Sequence, residues 1–103
     1  MAWEILDTGK RSAKENMEID AYLLDTLGDK RDPILHFYEW AGDCATYGYL
    51  TNPKDYLDEE GVAARGLSLA KRSTGGGIVF HSWDFAFSVL VPAESPFFLL
   101  TLR

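Results

Sequence analysis

The amino-acid sequence predicts a single domain of the α/β (α+β) class, in which a mixed sheet carries its helices on one face. A length of 103 residues suits one domain over residues 1–103. The hydrophobic fraction of 47% and the aromatic fraction of 14% favour a packed core over disorder. Segments with strand and helix patterns follow one another in the order β-α-β-β-α-β-β, which is typical of layered sheet-and-helix folds.

The first predicted elements are a short strand and a long helix. Residues 3–6 are apolar and β-prone, and residues 7–11 are expected to form a loop. Ser12 and Glu15 have the Ser-x-x-Glu spacing of a capping box, so the helix should begin there. Gly28 ends the apolar period, and the charged residues after it lead to a proline that would not continue the helix.

One face of this helix is apolar but also carries two polar residues. At about 100° per residue, the apolar side chains share one side: Ala13, Met17, Ala21, Leu23, Leu24 and Leu27. Asn16 and Asp20 fall on the same side. A buried carboxylate is costly unless it is hydrogen-bonded, so we expect Asp20 to meet backbone donors or a cationic partner. Asp20 is then either a structural anchor or part of a site.

The rest of the chain predicts four further strands and a second helix. The helix is expected over residues 56–69, and a turn over residues 41–43. Residues 82–84 can join the last two strands as a hairpin. The four strands are predicted at Ile34–Trp40, 45–50, 77–81 and 85–91. Residues 97–103 are apolar and β-prone, which predicts contact with a partner surface, including self-association through this C-terminal strand.

Charge and composition exclude several classes of function. The net charge is −6 and no basic cluster is dense, so a nucleic-acid partner is not expected. No apolar run approaches the roughly 20 residues of a membrane helix, and the N-terminus lacks the layout of a signal peptide. Cys44 is the only cysteine, which prevents an internal disulfide and fits the reducing cytoplasm. We interpret Cys44 as a small packing residue.

Residues 71–81, Lys-Arg-Ser-Thr-Gly-Gly-Gly-Ile-Val-Phe-His, are the strongest chemical feature. Three glycines allow the backbone to come close to a ligand, and their N–H groups can aim together at an anionic oxygen. Arg72 can add a charge-assisted hydrogen bond, and Thr74 a hydroxyl group. The segment matches neither a Walker loop nor Gly-x-Gly-x-x-Gly. Without its neighbours, a triple glycine would indicate only a flexible turn.

This segment resembles the Arg-Arg-x-Ser/Thr-Gly-Gly-Gly/Arg-Ala-Val-x-His block of the lipoate–protein ligase A family and the related octanoyltransferases. Residues 16–24 resemble that family's Asn-Met-Ala-x-Asp-x-x-Leu-Leu helix, and Ile34–Trp40 its next strand. Residues 45–48 resemble its small-x-Gly turn, and residues 87–89 its Tyr/Phe-Ser strand. The resemblance extends over residues 3–96 and implies the N-terminal portion of a biotin/lipoate ligase catalytic domain.

The resemblance implies acyl-adenylate chemistry. In the ligases, lipoate and ATP with Mg²⁺ give lipoyl-AMP, and the lipoyl group passes to a lysine of an apo lipoyl domain in a 2-oxoacid dehydrogenase or of the glycine-cleavage H protein. The residues that would bind substrate or cofactor are Arg72, Thr74, Gly75, Gly76, Gly77, Val79 and His81. Asn16, Asp20 and Trp40 would be structural, and no metal ligand is implied. For His81, a packing role is the alternative.

Two departures from the family keep three functions open. The ligases have a lysine in a Lys-Ile-Ala/Gly-Gly context downstream, and the octanoyltransferases have a downstream cysteine; neither occurs here, and Cys44 does not match. We therefore expect an incomplete catalytic domain whose lysine comes from a second subunit or from the missing part. The hypotheses are an ATP-dependent lipoate–protein ligase, an octanoyltransferase relative, and a non-catalytic lipoate-binding fragment. The triple glycine and the Val-Phe-His context lean towards the ligase.

Overall fold

The computed structural model describes residues 3–28, 32–82 and 84–93, and within these ranges the chain forms two mixed three-stranded sheets and two α-helices. The helices are α1 (Ala13–Asp25) and α2 (Glu59–Arg65), and a short 3-10 helix spans Pro53–Asp55. The strands are β1 (Glu4–Arg11), β2 (Ile34–Trp40), β3 (Cys44–Tyr47), β4 (Ser68–Lys71), β5 (Ile78–His81) and β6 (Phe85–Leu90). The predicted α/β class is confirmed, with two sheets where the sequence suggested one.

The two sheets are built on the same plan. In the first, β2 lies between a parallel β1 and an antiparallel β6. In the second, β3 lies between a parallel β4 and an antiparallel β5. The predicted hairpin between β5 and β6 is therefore wrong, because His81 pairs with Cys44 while Phe87 pairs with Phe37. β5 pairs with the largely buried β3 and β6 pairs with β2, so the two strands belong to different sheets.

Pairing across the sheets also moves three predicted boundaries. The expected loop at residues 7–11 continues β1, with a register shift between Asp7 and Lys10 where Gly9 has φ 78°. The predicted helix over residues 56–69 is shorter, because Gly66 takes the left-handed conformation that ends α2. The next residues form β4, which the sequence had not predicted. The strand predicted at residues 45–50 ends at Tyr47.

Helix α1 begins with the predicted capping box and packs between the sheets. The Ser12 hydroxyl accepts from the N–H of Glu15 at 3.2 Å, and the Glu15 carboxylate accepts from the N–H of Ser12 at 3.4 Å. Leu24 is 48% exposed, against the prediction that it belongs to the buried face. The buried side of the helix joins two apolar clusters, one with Tyr38, Trp40, Cys44 and Ala70 and the other with Ile34 and Leu90.

The outward face of the first sheet remains apolar and open among the described residues. Ile5 is 65% exposed and Phe87 is 62% exposed, and Phe85 and Val89 beside them are also exposed. These side chains alternate with the inward residues of β1 and β6, as the period of a strand requires. Helix α1 contacts the opposite face. Neither described helix is long and apolar enough to cross a bilayer.

Asn16 ties α1 to the ends of two strands. Its side chain is fully buried, and its Nδ2 donates to the carbonyl oxygens of Arg11 at 3.3 Å and Glu39 at 2.8 Å. These carbonyls lie near the ends of β1 and β2, and that of Arg11 also accepts from the N–H of Ala41 at 2.8 Å. A polar residue on the apolar face of the helix is thus explained by the two acceptors that it meets.

We expect Asn16→Leu to destabilise the chain by about 1–3 kcal/mol, because the carbonyl oxygens of Arg11 and Glu39 lose the hydrogen bonds that the buried amide donates. Glu18→Ala changes an exposed position of the same helix and should cost less than about 0.5 kcal/mol. Urea unfolding, followed by circular dichroism, measures both. Equal effects at the two positions would show that the Asn16 hydrogen bonds do not stabilise the fold.

Candidate functional site

The glycine loop, defined here as residues 72–77, connects β4 to β5 and lies against the residues that follow β3. The Tyr49 N–H donates to the Thr74 carbonyl at 3.1 Å, and the Gly48 N–H donates to the Gly77 carbonyl at 3.2 Å. The Thr51 hydroxyl donates to the Gly76 carbonyl at 2.8 Å. The loop is therefore held along its length by one neighbouring segment.

Gly48 allows this close approach because it has no side chain. A Cβ at this position would overlap the carbonyl oxygen of Gly76 and come within 2.8 Å of the backbone nitrogen of Gly76. Gly76 itself has φ 103°, a conformation that L side chains rarely adopt. The resemblance of residues 45–48 to a small-x-Gly turn thus has a steric reason in this structure.

Arg72 points into the loop and organises it. Its Nη2 donates to the carbonyl oxygens of Gly75 at 3.0 Å and Gly77 at 2.8 Å, and its Nη1 donates to the Thr46 hydroxyl oxygen at 2.8 Å. The sequence predicted that this positively charged group would bind the ligand. In the structure, three of its five N–H groups hold the protein's own oxygens.

The carbonyl groups of residues 74–77 all accept hydrogen bonds from the protein. Among the residues that the structure describes, the N–H groups of Gly75, Gly76 and Gly77 donate no hydrogen bond. All three glycines are exposed. A run of outward N–H groups, with the carbonyls turned inward, is an arrangement that binds an anionic or carbonyl oxygen.

A cavity of about 320 Å³ opens beside the loop, between α1 and β6. Arg72, Ser73 and Thr74 line one end of it. Its remaining walls are mostly apolar and include Met17, Leu24 and Leu90. The volume is at the lower end of the range of small-molecule sites, which is about 300–1,000 Å³. Its shape and lining suit a short acyl chain with a polar head group.

Asp20 reaches this cavity and holds a buried imidazole behind it. His36 is fully buried; its Nδ1 lies 3.2 Å from Asp20 Oδ1, and its Nε2 lies 2.7 Å from the Thr8 hydroxyl oxygen. The carboxylate on the apolar helix face thus meets an imidazole nitrogen, where the sequence predicted backbone donors or a cationic partner. The contact connects α1 to β2, and the carboxylate also lines the cavity.

Tyr38 joins the same wall. Its ring stacks on His36 at 4.7 Å between centroids, and its hydroxyl lies 3.4 Å from the Ser88 hydroxyl. Burial raises the pKa of the Tyr38 hydroxyl above its ordinary value, against the opposing hydrogen bond with Ser88. This hydroxyl is therefore neutral at physiological pH, and with Ser88 it gives the cavity an uncharged polar patch.

His81 lies on β5, behind the loop, and both of its ring nitrogens have partners. Its Nε2 is 3.1 Å from the Thr46 hydroxyl oxygen, and its Nδ1 is 2.7 Å from Asp84 Oδ2. Trp40 stacks on the imidazole with centroids 4.0 Å apart and an angle of 15°. Partial burial acts to raise the pKa of Asp84, but the hydrogen bonds from His81 and from its own backbone outweigh it and lower that pKa.

The structure brings some predicted site residues together and separates others. Arg72 and Thr74 line the cavity and the glycines adjoin it, whereas Val79 and His81 are not among its lining residues. Sequence reasoning missed Thr8, Thr46 and Asp84. The His-x-x-Asp spacing of residues 81–84 was a usable signal for the last of these, but nothing local points to either threonine. No group of three His, Cys, Asp or Glu side chains suited to a metal ion occurs in the described ranges.

Comparison with known proteins gives a consistent assignment. The sequence model of the lipoyl protein ligase A/B catalytic domain matches residues 12–100. Octanoyltransferase LipM of Moorella thermoacetica is 36% identical over 102 residues, covering 98% of this chain and 37% of the relative. Octanoyltransferase LipM of Staphylococcus aureus is 32% identical over 95 residues, covering 91% of this chain and 34% of the relative. The chain thus spans about a third of the length of these curated relatives.

Two solved structures share the fold. The T. acidophilum protein Ta0514, assigned as a lipoate protein ligase and solved with bound lipoic acid, superposes with a TM-score of 0.78 at 26% identity. That match covers 99% of this chain and 42% of the other. A lipoate-protein ligase A bound with ATP superposes with a TM-score of 0.75 at 28% identity, covering 86% of this chain and 36% of the other.

We expect Gly48→Ala to displace the glycine loop and to destabilise the chain by about 1–3 kcal/mol, as overpacking does. Gly48 does not have a positive φ, so the effect would be steric. Gly61→Ala in α2 is the matched control, because a Cβ there meets only Asp58 at ordinary distance. The amide chemical shifts of residues 75–77 report the displacement. Unchanged shifts in Gly48→Ala would contradict the close approach of the two segments.

The lowered pKa of Asp84 predicts a pH-dependent contribution to stability. A carboxyl pKa below its unfolded value of about 3.9 stabilises the folded state above that pH, and the contribution is lost as the pH falls through the folded pKa. Asp84→Asn should therefore cost up to about 1 kcal/mol near pH 7, a small value because the group is half exposed, and progressively less towards pH 3.

Urea unfolding of both proteins at several pH values measures this difference. Asp55→Asn is the control, because it removes an exposed negative charge without removing a histidine contact. A difference between wild type and Asp84→Asn that stays constant from pH 7 to pH 3 would contradict the assignment.

Proposed function

Because the chain belongs to the lipoyl protein ligase A/B catalytic domain family, we propose that it forms the acyl-binding part of an enzyme that transfers an eight-carbon acyl group to a lysine of a lipoyl domain. The observation that carries the proposal is the glycine loop, whose carbonyls are bound by the protein and whose N–H groups are open. This loop borders a cavity with apolar walls.

The acyl chain would lie in the cavity, with its carbonyl group at the glycine loop. Met17, Leu24 and Leu90 offer apolar contacts for the chain. The N–H groups of Gly75, Gly76 and Gly77 would donate to the acyl oxygen and stabilise the negative charge that develops on it during acyl transfer. Donors fixed before the reaction are effective because they need no reorganisation when the charge appears.

Arg72 and Thr74 would complete this oxyanion site. Arg72 holds the loop carbonyls and places a positive charge behind the N–H groups, which strengthens their attraction for an anionic oxygen. Thr74 is exposed at the cavity, and its hydroxyl would bind the acyl or phosphate head group. We propose that Val79 and His81 act from behind the loop, as supports of the binding segment.

Octanoyl transfer is the first candidate. LipM octanoyltransferases are 32–36% identical to this chain over the aligned residues, and this supports an octanoyl group on a thioester as the donor. The leaning of the sequence towards a ligase rested on the glycine triple and its context. Those residues suit either donor, since both present an acyl carbonyl to the same N–H groups.

ATP-dependent lipoate ligation is the second candidate, and the solved structures favour it. One neighbour binds lipoic acid and another is bound with ATP. In this case lipoate, ATP and Mg²⁺ would be the substrates and the ion required, and the loop would bind the carboxylate and then the adenylate. The acceptors in both cases would be apo lipoyl domains of 2-oxoacid dehydrogenases or the glycine-cleavage H protein. An archaeal ligase structure described as bi-partite includes an E2 lipoyl domain, which supports this acceptor class.

The nucleophile or lysine that completes the reaction would come from outside the described residues. Cys44 is unsuited to it, because its thiol is buried and lies 3.6 Å from the Ala41 carbonyl oxygen. Burial also raises the pKa of that thiol, which disfavours the reactive thiolate. A further part of the catalytic domain, or a second subunit, would supply the group. We propose a reducing, cytoplasmic setting for this chemistry.

Intact-mass analysis of an apo lipoyl domain tests the proposal. The chain is incubated, with and without the remaining two-thirds of a LipM relative, with an octanoyl thioester or with lipoate and Mg-ATP. An octanoyl mass gain without ATP supports transfer, and a lipoyl gain that needs ATP supports ligation. Binding of octanoate or lipoate without any mass gain would support a non-catalytic acyl-binding fragment. Absence of both binding and transfer would overturn the proposed function.

We expect Arg72→Lys to weaken binding of the acyl ligand by about tenfold or more, because an ammonium cannot replace the three-way planar donor set. Arg65→Lys changes an arginine in the last turn of α2 and should leave binding within about twofold. Isothermal titration with octanoate measures both. Equal affinities in the two variants would separate Arg72 from the binding site.

A further inference from the structure

Thr46 sits where three parts of the site meet. It lies in the middle strand of the second sheet and is 1% exposed. Its hydroxyl oxygen is 2.8 Å from Arg72 Nη1 and 3.1 Å from His81 Nε2. The residue therefore connects the group that holds the glycine loop to the histidine behind it, although it contacts neither the loop carbonyls nor the cavity.

The chemistry of the partners gives these contacts a direction. A guanidinium has only donors, so the Thr46 oxygen must accept from Arg72. The hydroxyl hydrogen is then left to donate to His81 Nε2 when that nitrogen carries no hydrogen. At the other edge of the ring, Asp84 is ionised at neutral pH and can only accept, so His81 Nδ1 carries the hydrogen. Donation runs from Arg72 through Thr46 and His81 to Asp84.

Protonation of His81 would break this order. The Nε2–H of an imidazolium would have to donate to the Thr46 oxygen, which would then accept from two cationic groups at once. The ring has little freedom to turn away, because Trp40 stacks on its face at 4.0 Å and Asp84 holds the opposite nitrogen at 2.7 Å. The observed geometry fits the neutral ring with its hydrogen on Nδ1.

We propose that Thr46 is a positioning residue that orients Arg72, and through it the glycine loop, while fixing His81 as the neutral Nδ1–H tautomer. Both nitrogens of His81 are then engaged, so this histidine supports the binding loop and does not serve as a base or as a direct ligand contact. The inference rests on the proposed function for its purpose, because the oriented loop is the acyl-binding element. The tautomer of His81 and the order of the glycine loop can both be measured without catalytic turnover.

The structure contains a second hydrogen-bonded series of the same chemistry, and this series provides a matched control. Thr8, His36 and Asp20 repeat the hydroxyl–imidazole–carboxylate order, with the hydroxyl 2.7 Å from His36 Nε2. Thr46→Val removes the hydroxyl from the series beside the glycine loop, and Thr8→Val removes the hydroxyl from the series that includes His36. Thr46→Ser restores the hydroxyl without the methyl group. The protein has 2 histidines, so each series contains one histidine whose nitrogen signals can be observed.

Nitrogen-15 spectra of histidine-labelled protein, with hydrogen exchange of the Gly48 and Tyr49 amides that donate to the loop carbonyls, test the proposal. In the wild type we expect an unprotonated Nε2 and a protonated Nδ1 at His81. In Thr46→Val the His81 Nε2 signal should shift, and exchange at Gly48 and Tyr49 should accelerate about tenfold, since Arg72 loses an acceptor that orients it and the loop becomes less ordered. Thr46→Ser should stay within about twofold of wild type. Thr8→Val should shift only the His36 signals.

Three results would overturn the inference. They are an Nε2–H tautomer at His81 in the wild type, exchange of the Gly48 and Tyr49 amides in Thr46→Val within about twofold of wild type, and an equal acceleration in Thr8→Val. The first needs no variant, so it decides the matter even where Thr46→Val does not fold. None of the readouts needs an acyl ligand. A chain that fails to bind or transfer an acyl group would therefore refute the proposed function and leave this test unaffected.

Discussion

The guanidinium of Arg72 donates to Gly75, Gly77 and Thr46 at the same time, and the character of the site follows from that contact. A loop of three glycines has many accessible conformations, and ordering it costs more conformational entropy than ordering other residues. The planar, charged donor set selects one conformation in which the carbonyl dipoles point inward. The peptide units are rigid, so inward carbonyls leave the N–H groups on the other side. A residue that the sequence suggests as a ligand contact thus acts first on the backbone beside it.

Two series of hydrogen-bonded polar side chains connect neighbouring layers of the fold. The series through His36 runs from β1 through β2 to α1, and so joins the first sheet to its helix. The series through His81 runs from β3 through β5 to Asp84, the residue before β6, and so joins the second sheet to the first. Apolar contacts alone would allow such layers to slide. Hydrogen bonds with defined donors and acceptors fix their relative position, because a shifted arrangement would leave buried polar groups unpaired.

Local signals in the sequence predicted the elements that local physics determines. Helix α1 begins at its capping box, and β2 has the predicted bounds, because a cap and a run of apolar residues act over a few positions. The pairing of β5 with β3 could not be predicted in this way, since it depends on which strand offers a matching buried face. The same limit applies to the site. The motif predicted Arg72 and the glycines, whereas Thr46 contacts residues 26 and 35 positions away in the chain, and no spacing rule connects them.

Strand β6 has one side that faces α1 and the cavity and another that lies on the open apolar face, so a change on one side of the strand would affect the other. Ser88 and Leu90 face α1 and the cavity, while Phe85 and Phe87 lie on the open apolar face of the first sheet. A polypeptide that covered the open face would add its binding free energy to the folding free energy of this strand. The shape of the cavity beside the glycine loop would then depend on whether the opposite side of this strand is covered. Coverage of the open face, folding of β6 and binding in the cavity would then be thermodynamically linked, so that each would change the free energy of the others.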